Sequence, residues 1–402
     1  MNGKSSATTD TAITAVVKYI IEFLLYGNKE AVPQVGYTAD PSEWANYKVV
    51  IVPNGHLGKD LIEPDFNIIP STPPSPHGEG AGVGPCIFET DLIYNTFFFI
   101  SRAEEVINPK RDKHGRFLAE YSILGTHNRL QIPLIDEYSR LLLKALDLPM
   151  PPATCRQVTL THDIDTIAHY RHLRGAVGGI WRGKGKEVLN AWRRLENDPA
   201  YTFPWLIAQD KKVAGAKVIY FVKHTHGKGY DYPQYNLRGR DWRKTRKLLL
   251  NSGATLGTHT SYYGYNGSDG PVRAHYLTGS IDDMRQMAHQ GVTDDYTMGF
   301  ADQAGFRLQT TRPVRWIDPT TYEVTDLTLH PLTVMDCTLS NENYMNLTED
   351  EAYFYCQQLF DKVKLYNGEL VLLWHNDNVT GAGYHRALYP KLIATLNAAT
   401  LP

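Results

Sequence analysis

Four short apolar runs, each followed by an acid or an imidazole, constrain this chain more than any other feature. They are "QVTLT" (157–161), "AKVIYFV" (216–222), "ATLGT" (254–258) and "GELVLLW" (368–374). Their length and apolar character suit strands buried on both faces. Helical stretches such as "SIDDMRQMAHQ" (280–290) separate them. Strands alternating with helices imply parallel strands joined by right-handed crossovers, in an α/β sheet or a (β/α) barrel. The first run leads to Asp163 and Asp165, the second to His224 and His226, the third to His259 and the last to His375. In a parallel barrel every strand's carboxyl end points to one face, where active sites sit. Segments more than 200 residues apart would thus deliver acids and imidazoles to one rim.

Two carboxylates two residues apart repel unless something positive lies between them. Taken singly, each side chain has an ordinary reading: an aspartate after a strand caps a helix by accepting from free amides, and a lone histidine there is a surface or capping residue. Taken together, the pattern is explained by a divalent cation, most simply Zn2+, held between carboxylate and imidazole donors.

Composition narrows the classes. Of 402 residues, 42% are hydrophobic and 21% charged, which is ordinary for a soluble globular protein of two or three domains. A net charge of −2 supplies no basic field for nucleic acid, so no such partner is expected. The apolar run Ala15–Tyr26 is broken by Lys18 and Glu22 and is too short and charged to span a bilayer. Met1–Asp10 is polar and lacks the basic-then-apolar order of a signal peptide. The four cysteines, Cys86, Cys155, Cys337 and Cys356, show no CxxC spacing and read as reduced. A cytoplasmic location is the expectation.

No internal repeat is visible. The proline- and glycine-rich stretch Ile69–Pro85 reads as a loop, since it can hold neither a helix nor a ladder. "EYSRLLLKAL" (137–146) has helical spacing, and the prolines of "LDLPMPPATC" (146–155) stop it. A domain boundary is placed there, giving an α+β accessory domain over 1–152 and the barrel over 153–402. In the first part "YKVVIVPN" (47–54) reads as a strand, "LIYNTFFFISRAEEVI" (92–107) as one buried helix and "KRDKHGRF" (110–117) as a solvated charged turn.

"THDID" (161–165) followed by "LGTHTSYY" (256–263) resembles the first two motifs of the metal-dependent polysaccharide deacetylases, the NodB-homology domains of the family-four carbohydrate esterases. "GFRLQ" (305–309) resembles the later arginine motif and "LLWHND" (372–377) the last histidine motif, so the resemblance spans roughly residues 155 to 380. The first 150 residues resemble a separate domain that precedes a divergent branch of these deacetylases. The resemblance implies a (β/α) barrel of NodB type, distorted and seven-stranded. It implies Asp165 and His259 as metal ligands, Asp163 as general base, and His375 as the acid that protonates the departing amine. Arg307 would orient Asp163, and a neighbouring acid, with Asp377 as a candidate, would keep His375 charged.

The chain departs from the family's pattern at Tyr263, where a second histidine is usual, and tyrosine is a poor zinc ligand beside imidazole. His275, in "VRAHYL", is the first choice to complete the triad, and His226, in "KHTHGKGY", the second. The plain alternatives are a packed or capping His275 and a solvated loop at His226. Sugar faces stack on aromatic rings, which makes Tyr262, Tyr263, Trp316 and Trp374 candidates for substrate binding, with core packing as the alternative. Asp295 ends another strand-type run. The basic insertion His169–Asn197 either covers the site, meets an anionic glycan or lipid carrier, or is simply solvated.

The expected function is removal of an N-acetyl group from an amino sugar of a polysaccharide or its precursor, with a carbohydrate as partner. Two alternatives stand beside it: hydrolysis of a small non-sugar amide, and a non-catalytic carbohydrate-binding or scaffold role following loss of the usual second histidine.

Overall fold

The computed structural model describes residues 3–64, 84–224, 229–231, 235–268 and 270–399. Most of the expected loop Ile69–Pro85, and His226, lie outside the described residues. Helix α1 (Gly3–Leu24) is followed by three short strands, β1 (Val35–Tyr37), β2 (Val49–Ile51) and β3 (Cys86–Phe88), which pair in parallel. Helix α2 (Leu92–Ile100) is wholly buried and is capped by Asp91, whose carboxylate accepts from the Ile93 and Tyr94 amides. The single helix expected over 92–107 is broken. Arg102 adopts a left-handed backbone (φ 61), and the short α3 (Glu104–Ile107) restarts after it. The break lets the Arg102 guanidinium reach the Glu105 carboxylate and the Gly279 carbonyl. Helices α4 (Ile123–Thr126) and α5 (Leu134–Ala145) complete this first unit.

The second unit is mixed α/β. Its strands are β4 (Gln157–Ile164), β5 (Lys217–Lys223), β6 (Thr255–His259), β7 (Val272–Arg273), β8 (Asp294–Met298), β9 (Val314–Ile317), β10 (Val324–Met335) and β11 (Glu369–Leu373). Seven of them close a barrel in the order β4-β5-β6-β7-β8-β10-β11 and back to β4, every pairing parallel, while β9 lies antiparallel on β10. The connections hold α6 (Leu173–Trp181), α7 (Gly185–Arg193), α8 (Phe203–Asp210), α9 (Arg240–Asn251), α10 (Ile281–His289), α11 (Asp336–Ser340) and α12 (Glu349–Leu365), and α13 (Tyr384–Ala399) ends the described chain. Capping boxes start α10 (Ser280 with Asp283) and α12 (Thr348 with Glu351).

Strand alternation divides the barrel's apolar contacts. Ile219, Phe221, Tyr296, Leu332, Val371 and Leu373 fill the inside. Val158, Leu160 and Ile164 face outward and pack with residues of α8, α12 and α13. Gly257 is required at its position, because a Cβ there would lie 2.6 Å from the Phe221 ring and 2.7 Å from the Pro271 carbonyl oxygen.

The segment before residue 152 and the barrel share one apolar core, in which Phe97, Phe98 and Tyr138 join Trp316, Leu327 and Leu329. Arg312 bolts the two together: its Nε donates to Asp136 Oδ1 (2.8 Å), Nη2 to Ser139 Oγ (2.7 Å) and Nη1 to the Phe23 carbonyl (2.8 Å). Among the described residues no helix is long and apolar enough to cross a membrane. None of the four cysteines forms a disulfide.

Candidate active site

A cavity of about 740 Å³ opens at the carboxyl ends of the strands. On β4 the period-two alternation sends Thr159, Thr161 and Asp163 inward and His162 outward. His162 is a packing residue: Nδ1 lies 2.8 Å from the Trp374 carbonyl, Nε2 3.1 Å from Asp210, and the ring stacks on Tyr220. Asp163 Oδ2 lies 3.3 Å from His259 Nε2 and 3.9 Å from His375 Nε2. Burial alone would raise the Asp163 pKa, but the His259 imidazole and the Arg273 guanidinium outweigh it, and the carboxyl is held well below the usual range.

Asp165 follows at the strand's end and also lines the cavity, its Oδ1 2.7 Å from the ammonium of buried Lys223. Burial is offset there by His375, Lys223 and His259, so Asp165 too is ionised. Lys223 stands opposite His259 in register, and His259 opposite Arg273. The residue just after β5, His224, is exposed and does not line the cavity.

His259 and His275 meet edge to face with ring centroids 4.7 Å apart. Each has Nδ1 committed: His259 to the Thr260 carbonyl at 3.2 Å, His275 to Asp231 Oδ1 at 3.2 Å. Asp231 is itself fixed by Ser261 Oγ (2.7 Å) and the Tyr262 amide (2.8 Å). Burial, with His259 and Lys223 nearby, pushes the His275 pKa down to about 3, so its imidazole is neutral at ordinary pH.

Opposite these, His375 Nδ1 donates to Asp336 Oδ1 at 2.7 Å. Asp336 Oδ2 takes the His375 backbone amide (2.8 Å) and Asn378 Nδ2 (2.9 Å). Burial would lower the His375 pKa, but Asp336 and then Cys337 raise it well above its ordinary value, so this imidazole carries a proton. Donor atoms of Asp336, Cys337 and His375 lie within 4.8 Å of one another. His375 Nδ1 is spent on Asp336, and burial followed by the Asp336 charge raises the Cys337 thiol, so this trio is a hydrogen-bonded acid rather than a thiolate ligand set.

The walls bring in residues that the sequence did not single out. Tyr230, Tyr276 and Tyr344 line the cavity, and so does Arg116 from the first unit. Tyr276 holds a left-handed backbone (φ 53), a costly conformation for a bulky residue. It lays the ring parallel to His275 (4.6 Å) on one side and His114 (5.1 Å) on the other. Asp112 clamps Arg116 through Nε (2.9 Å) and Nη2 (2.7 Å). The turn 110–117 therefore gives Arg116 to the site rim, while Lys110, Arg111, Lys113 and Gly115 are exposed, as expected of a solvated turn.

Several expected site residues lie elsewhere. Arg307 does not line the cavity: its guanidinium is buried against Glu105 and donates to the Gly299 carbonyl at 2.8 Å. A fixed buried anion holds it more strongly than the rim could. Arg273, inside the barrel and donating to Thr161 Oγ1 at 3.0 Å, is the arginine that supports Asp163. Trp374 alternates outward from β11 and is fully buried against Tyr389, and Trp316 is buried with its indole donating to the Ser101 carbonyl. Tyr263 is 68% exposed, and Tyr262 packs at a tilt against Tyr230 behind the lining. Asp295 accepts from the Thr297 amide and hydroxyl inside the barrel wall. Asp377 lines the cavity, but Asp336 is the partner of His375. "VMDCTL" offered Asp336 as one more strand-end acid; for Arg273 and Asp231 the sequence held no signal beyond their charge.

Buried Asp163 Oδ1 has no hydrogen-bond partner among the described residues, an orphaned acceptor that a divalent cation would satisfy. Second acceptors fixing Nδ1 are the arrangement metal-binding imidazoles use. Asp165, His259 and His275 are carboxylate and imidazole donors, the types zinc takes, but among the described residues the donor atoms gathered within 4.8 Å of one another are those of Asp336, Cys337 and His375.

Residues 9–151 match a family of unknown function (DUF7033), and no curated protein matches the chain.

Proposed function

We propose that this protein is a metal-dependent hydrolase of the NodB polysaccharide deacetylase type that removes N-acetyl groups from an amino sugar of a polysaccharide or its precursor. One observation carries the reading: a protonated His375–Asp336 pair and an ionised Asp163 face one cavity that Asp165, His259 and His275 also share. The closed seven-stranded parallel barrel supports the NodB assignment.

Asp165, His259 and His275 would hold the ion, which supplies Lewis acidity toward an amide carbonyl and lowers the pKa of water from about 16 toward 7. Asp163 accepts the proton as water attacks, a contribution of about 10²–10⁴-fold. Against burial, the Arg273 guanidinium favours its ionised form for that task. His375 gives its proton to the leaving amine, and Asp336 fixes the tautomer and orientation that let Nε2 do so. Tyr230, Tyr276 and Tyr344 offer rings and hydroxyls to a sugar, in a volume suited to a small glycan.

A second reading has its own observation. The Lys223 ammonium on Asp165 puts a cation where the ion would draw its carboxylate ligand, which favours a carbohydrate-binding relative without catalysis. Metal analysis of protein purified without chelator separates the two. The hydrolase reading expects stoichiometric zinc that Asp165→Ala abolishes, and acetate release from N-acetylated amino sugars rather than from simple amides. Metal-free protein that binds sugar and releases no acetate with added zinc would establish the second reading.

A further inference from the structure

The insertion between β4 and α8 is a braced helical hairpin, not a loose loop. Tyr170, Ala176, Val188 and Ala191 form a small core of their own between α6 and α7. Gly179 permits the close approach, since a Cβ there would lie 2.5 Å from Val188 and 2.8 Å from Tyr170. Arg171 ties the base to Asp241 of α9 (2.7 Å), and the Trp192 indole donates to the Tyr170 carbonyl (2.7 Å). With its inner faces satisfied, α6 turns Leu173, Val177, Ile180 and Trp181 to solvent, exposed by 79, 49, 58 and 87%. Their spacing of i, i+4, i+7 and i+8 makes one continuous helical face. On α7, Leu189 and Trp192 are each more than half exposed.

An exposed stripe of this kind marks a contact surface, and its surrounding charge selects the contact. Residues 171–194 hold seven Arg or Lys (171, 174, 182, 184, 186, 193 and 194) against one acid, Glu187, in a chain whose net charge is −2. Helix α9, joined to the hairpin through Asp241 and through the Lys244–Glu196 pair, adds five more. Apolar groups with Trp at their edge, ringed by cations, match an anionic lipid surface. His172 and Arg174, at the start of α6, line the catalytic cavity, so whatever α6 rests on lies beside the cavity's mouth.

We propose that the α6–α7 hairpin docks on an anionic membrane surface through Leu173, Val177, Ile180 and Trp181, seating the mouth of the cavity at the lipid interface. It follows, resting on the hydrolase reading, that the substrate is an amphiphile such as a lipid-linked glycan.

Sedimentation of the full chain with vesicles tests the docking without any assay of activity. Phosphatidylcholine vesicles carrying phosphatidylglycerol should bind the protein, pure phosphatidylcholine should not, and added salt should release it. Ile180→Ser with Trp181→Ser should weaken binding at least tenfold, an order-of-magnitude expectation from the lost apolar contact. Arg182→Glu with Lys184→Glu and Lys186→Glu should weaken it about a hundredfold, at about fivefold per cation near the surface. All five positions are exposed, so folding is retained. Wild-type protein that ignores anionic vesicles, or a serine variant that binds them undiminished, overturns the proposal. So does a wild-type dimer in lipid-free buffer that the serine variant splits, since the face would then belong to a second copy. Vesicle binding without acetate release leaves the docking intact and counts against the hydrolase reading alone.

Discussion

Replacing Glu105 by Gln should destabilise the fold severely while leaving the cavity's chemistry in place. Glu105 is the buried anion shared by Arg102 and Arg307, taking Nε (2.8 Å) and Nη2 (2.6 Å) of Arg102 and Nη2 of Arg307, with Arg111 at 3.6 Å. Gln leaves two buried guanidiniums without a counter-charge. Breaking a buried pair from one side costs about 3–5 kcal/mol. Titration gives a similar figure. Burial would raise the Glu105 pKa, but Arg102 and Arg307 lower it from 4.5 to about 2, and at about 1.36 kcal/mol per pH unit that gap corresponds to about 3 kcal/mol. The stabilisation is full above the unfolded value of 4.5 and is lost as pH falls through about 2. With an m-value of about 3 kcal/mol per molar urea, the unfolding midpoint at pH 7 should fall by about 1 M. Arg307→Met should act in the same direction, and the double variant should lose less than the two losses added, because each removes the other's stranded charge. Unchanged urea midpoints in both single variants would refute the reasoning. A stable Arg307→Met protein that had lost its acetate release would return Arg307 to the catalytic site.

Three further outcomes are expected. Asp336→Asn should lower the rate of acetate release at least 10²-fold and bring down the His375 pKa read by NMR, since the anion that keeps the imidazole protonated is gone; a few-fold effect on both would remove Asp336 from its orienting role. Lys223→Met should tighten zinc binding tenfold or more in chelator competition, because a like charge about 4 Å away costs about 4 kcal/mol at an effective dielectric of 20; weaker binding would make Lys223 a supporting residue of the ion site instead. Burial raises the Glu104 pKa from 4.5 to about 7, so its neutral form stabilises the fold below 4.5 and that contribution, about 3 kcal/mol, is lost as pH rises through 7. Glu104→Gln should flatten the decline in urea midpoint between about pH 4.5 and 7, and an unaltered decline would exclude Glu104 as its source.

What the sequence made legible followed from period and order. Asp163 and His375 each follow an apolar strand-type run, and the βα rhythm placed them on one rim, which the structure lines with both. With tyrosine at 263, His275 was the first choice for the missing imidazole, and the structure sets its ring against His259. What stayed hidden depends on contacts made across long separations. Arg307 carries a motif-like setting, yet Glu105, 202 residues earlier, captures it. Arg273 looks like any surface cation until β7 turns it into the barrel. Trp374 is one residue from a site histidine, and strand alternation sends it to the opposite face. The stack of His114, Tyr276 and His275 requires a left-handed tyrosine, which no propensity announces.

The turn bearing His114 and Arg116 divides the labour of the molecule between its halves. A chain cut at residue 152 would keep the acids and imidazoles of the barrel and lose the guanidinium and ring that wall them on one side. Exchange of 110–117 alone can therefore reshape what enters the pocket while the proton-moving groups stay untouched. Under the proposed function, the accessory half would act as the selector of guests and the barrel as the host that transforms them.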